Sequence, residues 1–106
     1  MKIAFSSPNG KTLAGHAGKC PGFVVMEVKE GDVTSSLRVK LAKDQVFSQL
    51  AGPLSALPEH PLQGIDKLVT KGCGEGLVRR LASDGIEVIV TDVDTPEAFM
   101  ETLTKV

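Results

Sequence analysis

The chain has 106 residues, of which 42% are hydrophobic and 24% are charged, and its formal net charge is −1. This length predicts a single domain over residues 1–106 with a real core. The near-neutral charge gives no sign of a nucleic-acid or membrane-surface partner, and four Phe without Tyr or Trp leave little surface for base stacking. No apolar run approaches the roughly 20 residues that cross a bilayer. Because Met1–Phe5 lacks signal-peptide features, we expect a cytoplasmic protein whose Cys20 and Cys73 are reduced thiols.

The first half of the chain predicts a strand followed by a hairpin. Lys2–Ser6 is an apolar run that ends in a polar turn and leads into a glycine-rich loop. Phe23–Val28 and Val33–Leu41 are two further strands, and the tight turn at Glu30-Gly31-Asp32 between them is typical of a β-hairpin. A short helix is then predicted over Gln45–Ala51.

The second half predicts alternating strands and helices. Ile65–Thr70 is a strand, and Glu75–Ser83 is a helix with Gly85 in the position of a C-terminal cap. Ile86–Thr91 is the last strand, and Thr95-Pro96 has the capping and first-turn residues of a final helix. The sequence therefore predicts strand–helix units whose strands are parallel.

These elements occur in the order β-β-β-α-β-α-β-α, which indicates an α/β domain with a mixed five-stranded sheet. Ile3–Phe5 and Leu68–Thr70 are the expected central strands. The segment Pro53 to Gln63 is rich in Pro and Leu and is left without an assigned element; a second helical turn followed by a mobile loop is one interpretation.

Two loops carry the candidate chemistry. Gly72-Cys73-Gly74-Glu75-Gly76 lies between a predicted strand and a predicted helix, and His16-Ala17-Gly18-Lys19-Cys20-Pro21 follows the first strand. A glycine-rich turn of this kind brings bare backbone N–H groups to the carboxyl edge of a sheet, where α/β folds bind anions. The added thiol and imidazole indicate a metal or metal–sulfur ligand.

Each candidate ligand has a structural alternative. Cys73 at a helix N-terminus favours the thiolate, which is a soft metal ligand, but a free Cys equally often packs as a small hydrophobic residue. His16 is a candidate ligand or a hydrogen-bonded surface histidine. Cys20 is a candidate second ligand or a packed thiol beside Pro21.

A closed four-thiolate site is excluded, because the chain has only two Cys and two His. A cluster held by one chain would therefore depend partly on hydrogen bonds, charge and shape. The backbone N–H groups of Gly72–Gly76, with Lys19 and Lys71 nearby, suit an anionic sulfide cluster, although each lysine alone is more typical of solvated surface charge.

Three other polar residues have weaker patterns. His60 fits a lid over the site, but an exposed loop histidine is the favoured interpretation. Asp92 and Asp94 follow the last strand, where a solvated turn is favoured over a site for a hard cation.

With these residues, the chain resembles the dinitrogenase iron–molybdenum cofactor biosynthesis family over nearly its whole length. Lys2–Ser7 is similar to the opening strand of that family and His16–Phe23 to its signature. Gly72–Gly76 is similar to its glycine-rich loop, and Leu81–Val90 to the segment that follows. The resemblance implies a ribonuclease-H-like three-layer fold. The chain departs from the family pattern at Ala17, where an aromatic residue is usual, at Cys20, where a small residue without a thiol is common, and over Leu54–Ile65, which lacks a long Ala-rich helix.

Members of this family bind the iron–molybdenum cofactor, its precursors or other molybdenum- or iron-containing sulfide clusters, and the orange proteins among them hold a molybdenum–copper sulfide cluster. The resemblance thus implies a non-catalytic binding or carrier protein for a metal–sulfur cluster of molybdenum with iron or copper. It also implies a cofactor-assembly or regulatory protein as partner. The metal ligands would be His16 and Cys73, and the predicted cofactor-binding residues are His16, Lys19, Cys20, Gly72, Cys73, Gly74 and Gly76.

Two other functions remain open. One is a small phosphate- or nucleotide-binding module that uses Gly72–Gly76, although the loop lacks the Gly-Lys-Ser/Thr ending of a phosphate-binding loop. The other is an interaction module with a degenerate site. Nuclease activity is not expected, because the first strand ends in Ser6 and Ser7 rather than in the carboxylates that two-metal catalysis requires.

Overall fold

The computed structural model describes residues 1–9, 11–15, 19–42, 46–47, 60, 62, 64–72 and 75–104, with side chains to residue 101. Within these ranges the chain forms five strands and two helices. Their bounds are β1 Lys2–Ser6, β2 Gly22–Lys29, β3 Asp32–Lys40, β4 Lys67–Thr70, α1 Glu75–Ser83, β5 Glu87–Val90 and α2 Pro96–Thr104. The helix predicted over residues 45–51 lies outside the described residues, apart from Val46 and Phe47.

The five strands form one mixed sheet in the order β3-β2-β1-β4-β5. β1 pairs antiparallel with β2 and parallel with β4, and β4 pairs parallel with β5. The prediction of a mixed five-stranded sheet with the first and fourth strands inside is confirmed. The predicted strand at Ile65 begins two residues later, at Lys67, and the strand predicted from Ile86 spans only Glu87–Val90.

Local sequence signals explain the hairpin between β2 and β3. Glu30 and Gly31 both have positive φ angles, 54° and 85°. Two successive residues of this kind form the tight loop whose twist matches a right-handed hairpin. The register shifts by one residue between Glu27 and Val28, which is a β-bulge in the strand pair.

Both described helices have the caps that the sequence predicted. At the end of α1, Gly85 has a φ of 80°, its N–H donates to the Ala82 carbonyl, and the Ile86 N–H donates to the Leu81 carbonyl. These two bonds form a Schellman cap. At the start of α2, the Ala98 N–H donates to Thr95 Oγ1 at 3.1 Å, which satisfies one free donor of the first turn.

Two apolar clusters lie on opposite faces of the sheet. One contains Leu81 from α1 and the strand residues Ala4 and Leu68. The other contains Phe99 from α2, whose ring packs edge-to-face on Phe5 with the ring centroids 5.8 Å apart. Because side chains alternate across a strand, β1 supplies both clusters and is buried on both faces. The helices therefore cover the two faces of the sheet and leave the carboxyl ends of its parallel strands to the connecting loops.

Candidate functional site

The loops that follow β1, β4 and β5 are joined by backbone hydrogen bonds at the carboxyl edge of the sheet. The Ala14 N–H donates to the Ser6 carbonyl at 2.8 Å, and the Lys71 N–H donates to the Ala14 carbonyl at 3.1 Å. The Leu13 N–H donates to the Asp94 carbonyl at 2.7 Å. The loop after β1 thus lies between the other two and contacts both.

Gly15 and Gly72 lie side by side at this edge. A Cβ atom on Gly15 would be 3.8 Å from the Gly72 nitrogen. In the sequence, Gly15 immediately precedes His16 and Gly72 immediately precedes Cys73. His16, Cys73 and Gly74 lie outside the described residues, so the structure places the residues that precede the predicted ligands and not the ligands themselves.

Among the described residues, nothing would clash with a side chain at Gly72 or Gly76. A Cβ atom on Gly72 or Gly76 would meet no atom within 4 Å, and neither residue has a left-handed φ. At Gly22, by contrast, a Cβ atom would be 2.9 Å from both Pro8 Cα and the Ser7 carbonyl oxygen. Gly22 is therefore needed for packing, whereas the described residues leave open space beside the backbone of Gly72 and Gly76.

Cys20 is buried close to this edge. Its side chain is 5% exposed, and its thiol donates to the Gly22 carbonyl at 2.9 Å. Burial raises the pKa of the Cys20 thiol above its usual value, more than its backbone hydrogen bonds lower it. A buried thiol that keeps its proton is a poor metal ligand. Of the two interpretations of Cys20, this placement favours the packed thiol.

The two lysines near the site differ in their surroundings. Lys19 is exposed. The Lys71 ammonium group donates to Asp94 Oδ1 at 2.8 Å, and this hydrogen bond and the positive charge lower the pKa of the Asp94 carboxyl. The two aspartates after the last strand differ in their surroundings. Asp94 forms an ion pair with Lys71, and Asp92 is exposed. The described ranges contain no group of three His, Cys, Asp or Glu side chains that could hold a metal ion.

The expectation that His60 is an exposed loop residue is wrong. Its side chain is 8% exposed and stacks on the Phe47 ring, with the ring centroids 6.2 Å apart and the planes 15° from parallel. The Leu62 N–H donates to His60 Nδ1 at 3.1 Å. Aromatic stacking and this hydrogen bond offset the cost of burying the imidazole.

Sequence reasoning missed a buried pair of hydroxyl groups below the two loops. Ser6 and Thr70 are the last residues of β1 and β4, both are 0% exposed, and their oxygens are 2.8 Å apart. The available signal was a hydroxyl residue at the final position of each predicted central strand.

Layered α/β folds with glycine-bearing loops at the carboxyl edge of parallel strands are a class of domain that binds small ligands at that edge. The family model described as dinitrogenase iron-molybdenum cofactor matches residues 1–106, and the chain belongs to that family. Membership associates the chain with the biosynthesis or binding of this cofactor. No protein with a curated description matches the chain.

Solved structures share the fold at low sequence identity. The crystal structure of PH0822 is 17% identical, with a TM-score of 0.74 over 98% of this chain and 90% of the other. A protein of Methanocaldococcus jannaschii, provisionally described as a dinitrogenase, is 16% identical, with a TM-score of 0.71 over 99% and 88%. A Thermotoga protein, provisionally described as a NifB protein of the DUF35 family, is 15% identical, with a TM-score of 0.68 over 98% and 87%. Among the described residues, no helix is long and apolar enough to cross a membrane.

Proposed function

We propose that residues 1–106 form a single domain that acts as a non-catalytic binding or carrier protein for a metal–sulfur cluster. The cluster would be an iron–molybdenum cofactor precursor or a molybdenum–copper sulfide of the kind that orange proteins hold. The observation that carries this proposal is the proximity of Gly15 and Gly72 at the carboxyl edge of the sheet, where the Lys71 N–H donates to the Ala14 carbonyl at 3.1 Å. This proximity brings together the two loops in which the sequence has His16 and Cys73.

Covalent geometry supports His16 and Cys73 as the metal ligands. Successive Cα atoms are about 3.8 Å apart. A Cβ atom on Gly15 would be 3.8 Å from the Gly72 nitrogen, and the Lys71 N–H donates to the Ala14 carbonyl, so the two ligand residues are attached to nearby points of the backbone. An imidazole and a thiolate are suitable ligands for copper and iron, and the thiolate is the softer of the two.

The open surface at Gly72 and Gly76 supports a bulky anionic cargo. The Gly72 N–H donates to Thr70 Oγ1, so at this residue the open space allows close approach rather than a free donor. At Gly76 the start of α1 adds partial positive charge and N–H groups that can approach the sulfide atoms of a cluster. Gly74 would extend this surface, and Lys19 would add a positive charge at its rim. Cys20 contributes packing below the site, as its burial indicates.

The finer fold assignment and the cellular context are also proposals. Helices on both faces of a mixed sheet support the ribonuclease-H-like three-layer arrangement. A cytoplasmic location would keep both thiols reduced and available. A cofactor-assembly or regulatory protein would deliver or receive the cluster.

The test is reconstitution of the reduced chain under anaerobic conditions. The chain is mixed with tetrathiomolybdate and Cu(I), or with Fe(II) and sulfide, then desalted, and metal content and visible absorption are measured. We expect a coloured product that His16→Ala and Cys73→Ser each abolish. Cys20→Ala is the matched thiol control and should retain the cluster.

Three outcomes would change this assignment. A colourless, metal-free wild-type chain under both conditions would refute the carrier function. If Cys20→Ala loses the cluster while the other two variants keep it, Cys20 is a metal ligand. A rise in melting temperature with nucleotides, without any cluster retention, would favour the phosphate-binding alternative at Gly72–Gly76.

A further inference from the structure

We propose that Ser6 and Thr70 form a hydroxyl clasp that positions the two ligand-bearing loops relative to each other. This inference rests on the proposed function, because the loops matter only if His16 and Cys73 hold a cluster together. The two residues would be positioning residues, acting through the backbone of the loops and not by touching the cluster.

The clasp connects both central strands to both loops. Ser6 Oγ is 2.7 Å from the Ala14 carbonyl oxygen and 2.8 Å from Thr70 Oγ1. Thr70 Oγ1 is 3.1 Å from the same Ala14 oxygen and 3.0 Å from the Gly72 carbonyl oxygen. The Gly72 N–H also donates to Thr70 Oγ1, at 3.3 Å.

The proton count makes these contacts cooperative. Each hydroxyl has one proton, so the short contact between the two oxygens takes the proton of one of them. If Ser6 donates to Thr70, the Thr70 proton is left for the Gly72 carbonyl. If Thr70 donates to Ser6, the Ser6 proton is left for the Ala14 carbonyl. In either direction the chain of bonds ends on a loop, and each bond polarises the next.

Burial gives the clasp its strength and its specificity. Ser6 and Thr70 are both 0% exposed, and a buried hydroxyl is costly unless it is hydrogen-bonded. Ser6 and Thr70 end the two adjacent central strands, where an apolar pair would fill the same space. The hydroxyl groups bond instead to residues that lie two positions before His16 and one position before Cys73.

The first experiment measures the apo chain and needs no cluster. Thr70→Val keeps the shape of the side chain and removes the hydroxyl, and Thr70→Ser restores it. The control is Val69→Ala, which removes buried methyl groups from the neighbouring residue on the opposite face of the sheet. Amide exchange is followed by NMR at the Lys71 N–H, which donates to the Ala14 carbonyl.

We expect Thr70→Val to speed exchange at Lys71 about tenfold more than at residues of α2, as the loss of one buried hydrogen bond would. Thr70→Ser should exchange as the wild type does, and Val69→Ala should show no selective change at Lys71. Ser6→Ala is the second variant and decides the question if Thr70→Val does not fold. If Thr70→Val and Ser6→Ala change amide exchange by the same factor at Lys71 and in α2, the clasp does not exist.

The second experiment measures cluster retention with tetrathiomolybdate and Cu(I) at urea concentrations that equalise the stability of the variants. Retention should fall about tenfold in Thr70→Val and stay at the wild-type level in Val69→Ala and Thr70→Ser. Equal retention in Thr70→Val and Val69→Ala would refute the positioning role. If the wild type holds no cluster, the proposed function fails, and the exchange experiment alone decides whether the clasp exists.

Discussion

A Cβ atom on Gly22 would lie 2.9 Å from Pro8 Cα, closer than such atoms approach in folded proteins. The Ser7 N–H also donates to the Gly22 carbonyl at 2.9 Å, so the first residue of β2 is fixed against the turn after β1. The three close atoms all belong to the backbone of Ser7 and Pro8, so no flexible side chain could move aside.

Gly22→Ala is therefore expected to lower the free energy of unfolding by about 1–3 kcal/mol, the usual cost of overpacking. The measurement is urea unfolding followed by circular dichroism. Gly72→Ala is the control and should stay within about 0.5 kcal/mol of the wild type, since the described residues leave that position open. Equal midpoints for wild type and Gly22→Ala would contradict the close contact.

Gly76→Ala should separate stability from cluster binding. Gly76 lies in the first turn of α1, where alanine is the better helix former by up to about 1 kcal/mol. The new methyl group would meet no atom of the described residues within 4 Å. We expect a higher melting temperature for the apo chain and a lower metal content after reconstitution. A variant that gains stability and keeps its full metal content would show that this glycine has no part in the site.

The ion pair between Lys71 and Asp94 should be visible in an NMR titration. A carboxyl whose pKa is lowered in the folded state stabilises that state above its unfolded pKa, near 3.8, and this contribution is lost as the pH falls through the lower, folded value. Lys71→Met should move the Asp94 pKa upward, toward 3.8.

The control for this titration is Lys67→Met. This variant removes a similar ion pair, between Lys67 and Glu87 at 2.6 Å, which lies at the opposite end of β4. It should leave the pKa of Asp94 unchanged. Asp94 is exposed, so a small effect on global stability is expected. An Asp94 pKa that does not respond to Lys71→Met would show that the two groups are not paired in solution.

The Cys20 thiol should react slowly with alkylating reagents in the folded chain. In a Cys73→Ser variant, Cys20 is the only thiol, and burial raises its pKa above 9.0. Each pKa unit lowers the thiolate fraction about tenfold near neutral pH. Iodoacetamide at pH 8 should therefore label it much more slowly in the folded chain than in the chain unfolded by concentrated urea. Above pH 9.0 the unfolded chain releases this proton more readily, so stability should fall there. Equal labelling rates in the folded and unfolded chain would contradict the burial.

Local sequence was enough to predict the elements whose ends are marked by capping or turn residues. The bounds of α1 were predicted because Gly85 ends the helix, and the start of α2 because Thr95 caps it. The hairpin followed from the turn at Glu30 and Gly31. These features depend on a few neighbouring residues, which a sequence shows directly.

Contacts between distant residues could not be read in the same way. The burial of His60 depends on the ring of Phe47, and nothing near His60 in the sequence indicates that partner. The clasp joins Ser6 to Thr70, and each of them alone resembles an ordinary strand end. The proximity of the loops after β1 and β4 is the exception, because the carboxyl ends of adjacent parallel strands lie at the same edge of a sheet. The burial of Cys20 depends on packing that only the fold reveals.

The position of β1 in the middle of the sheet has a consequence for how the chain folds during synthesis. Ile3 pairs with Lys67, and Ser6 bonds Thr70, a separation of 64 residues. A ribosome adds about 5–20 residues per second, so about 3–13 seconds pass between the synthesis of β1 and the synthesis of its parallel neighbour β4. Until then it has only the hairpin strand β2 beside it, and its other edge is free to pair with a different nascent chain.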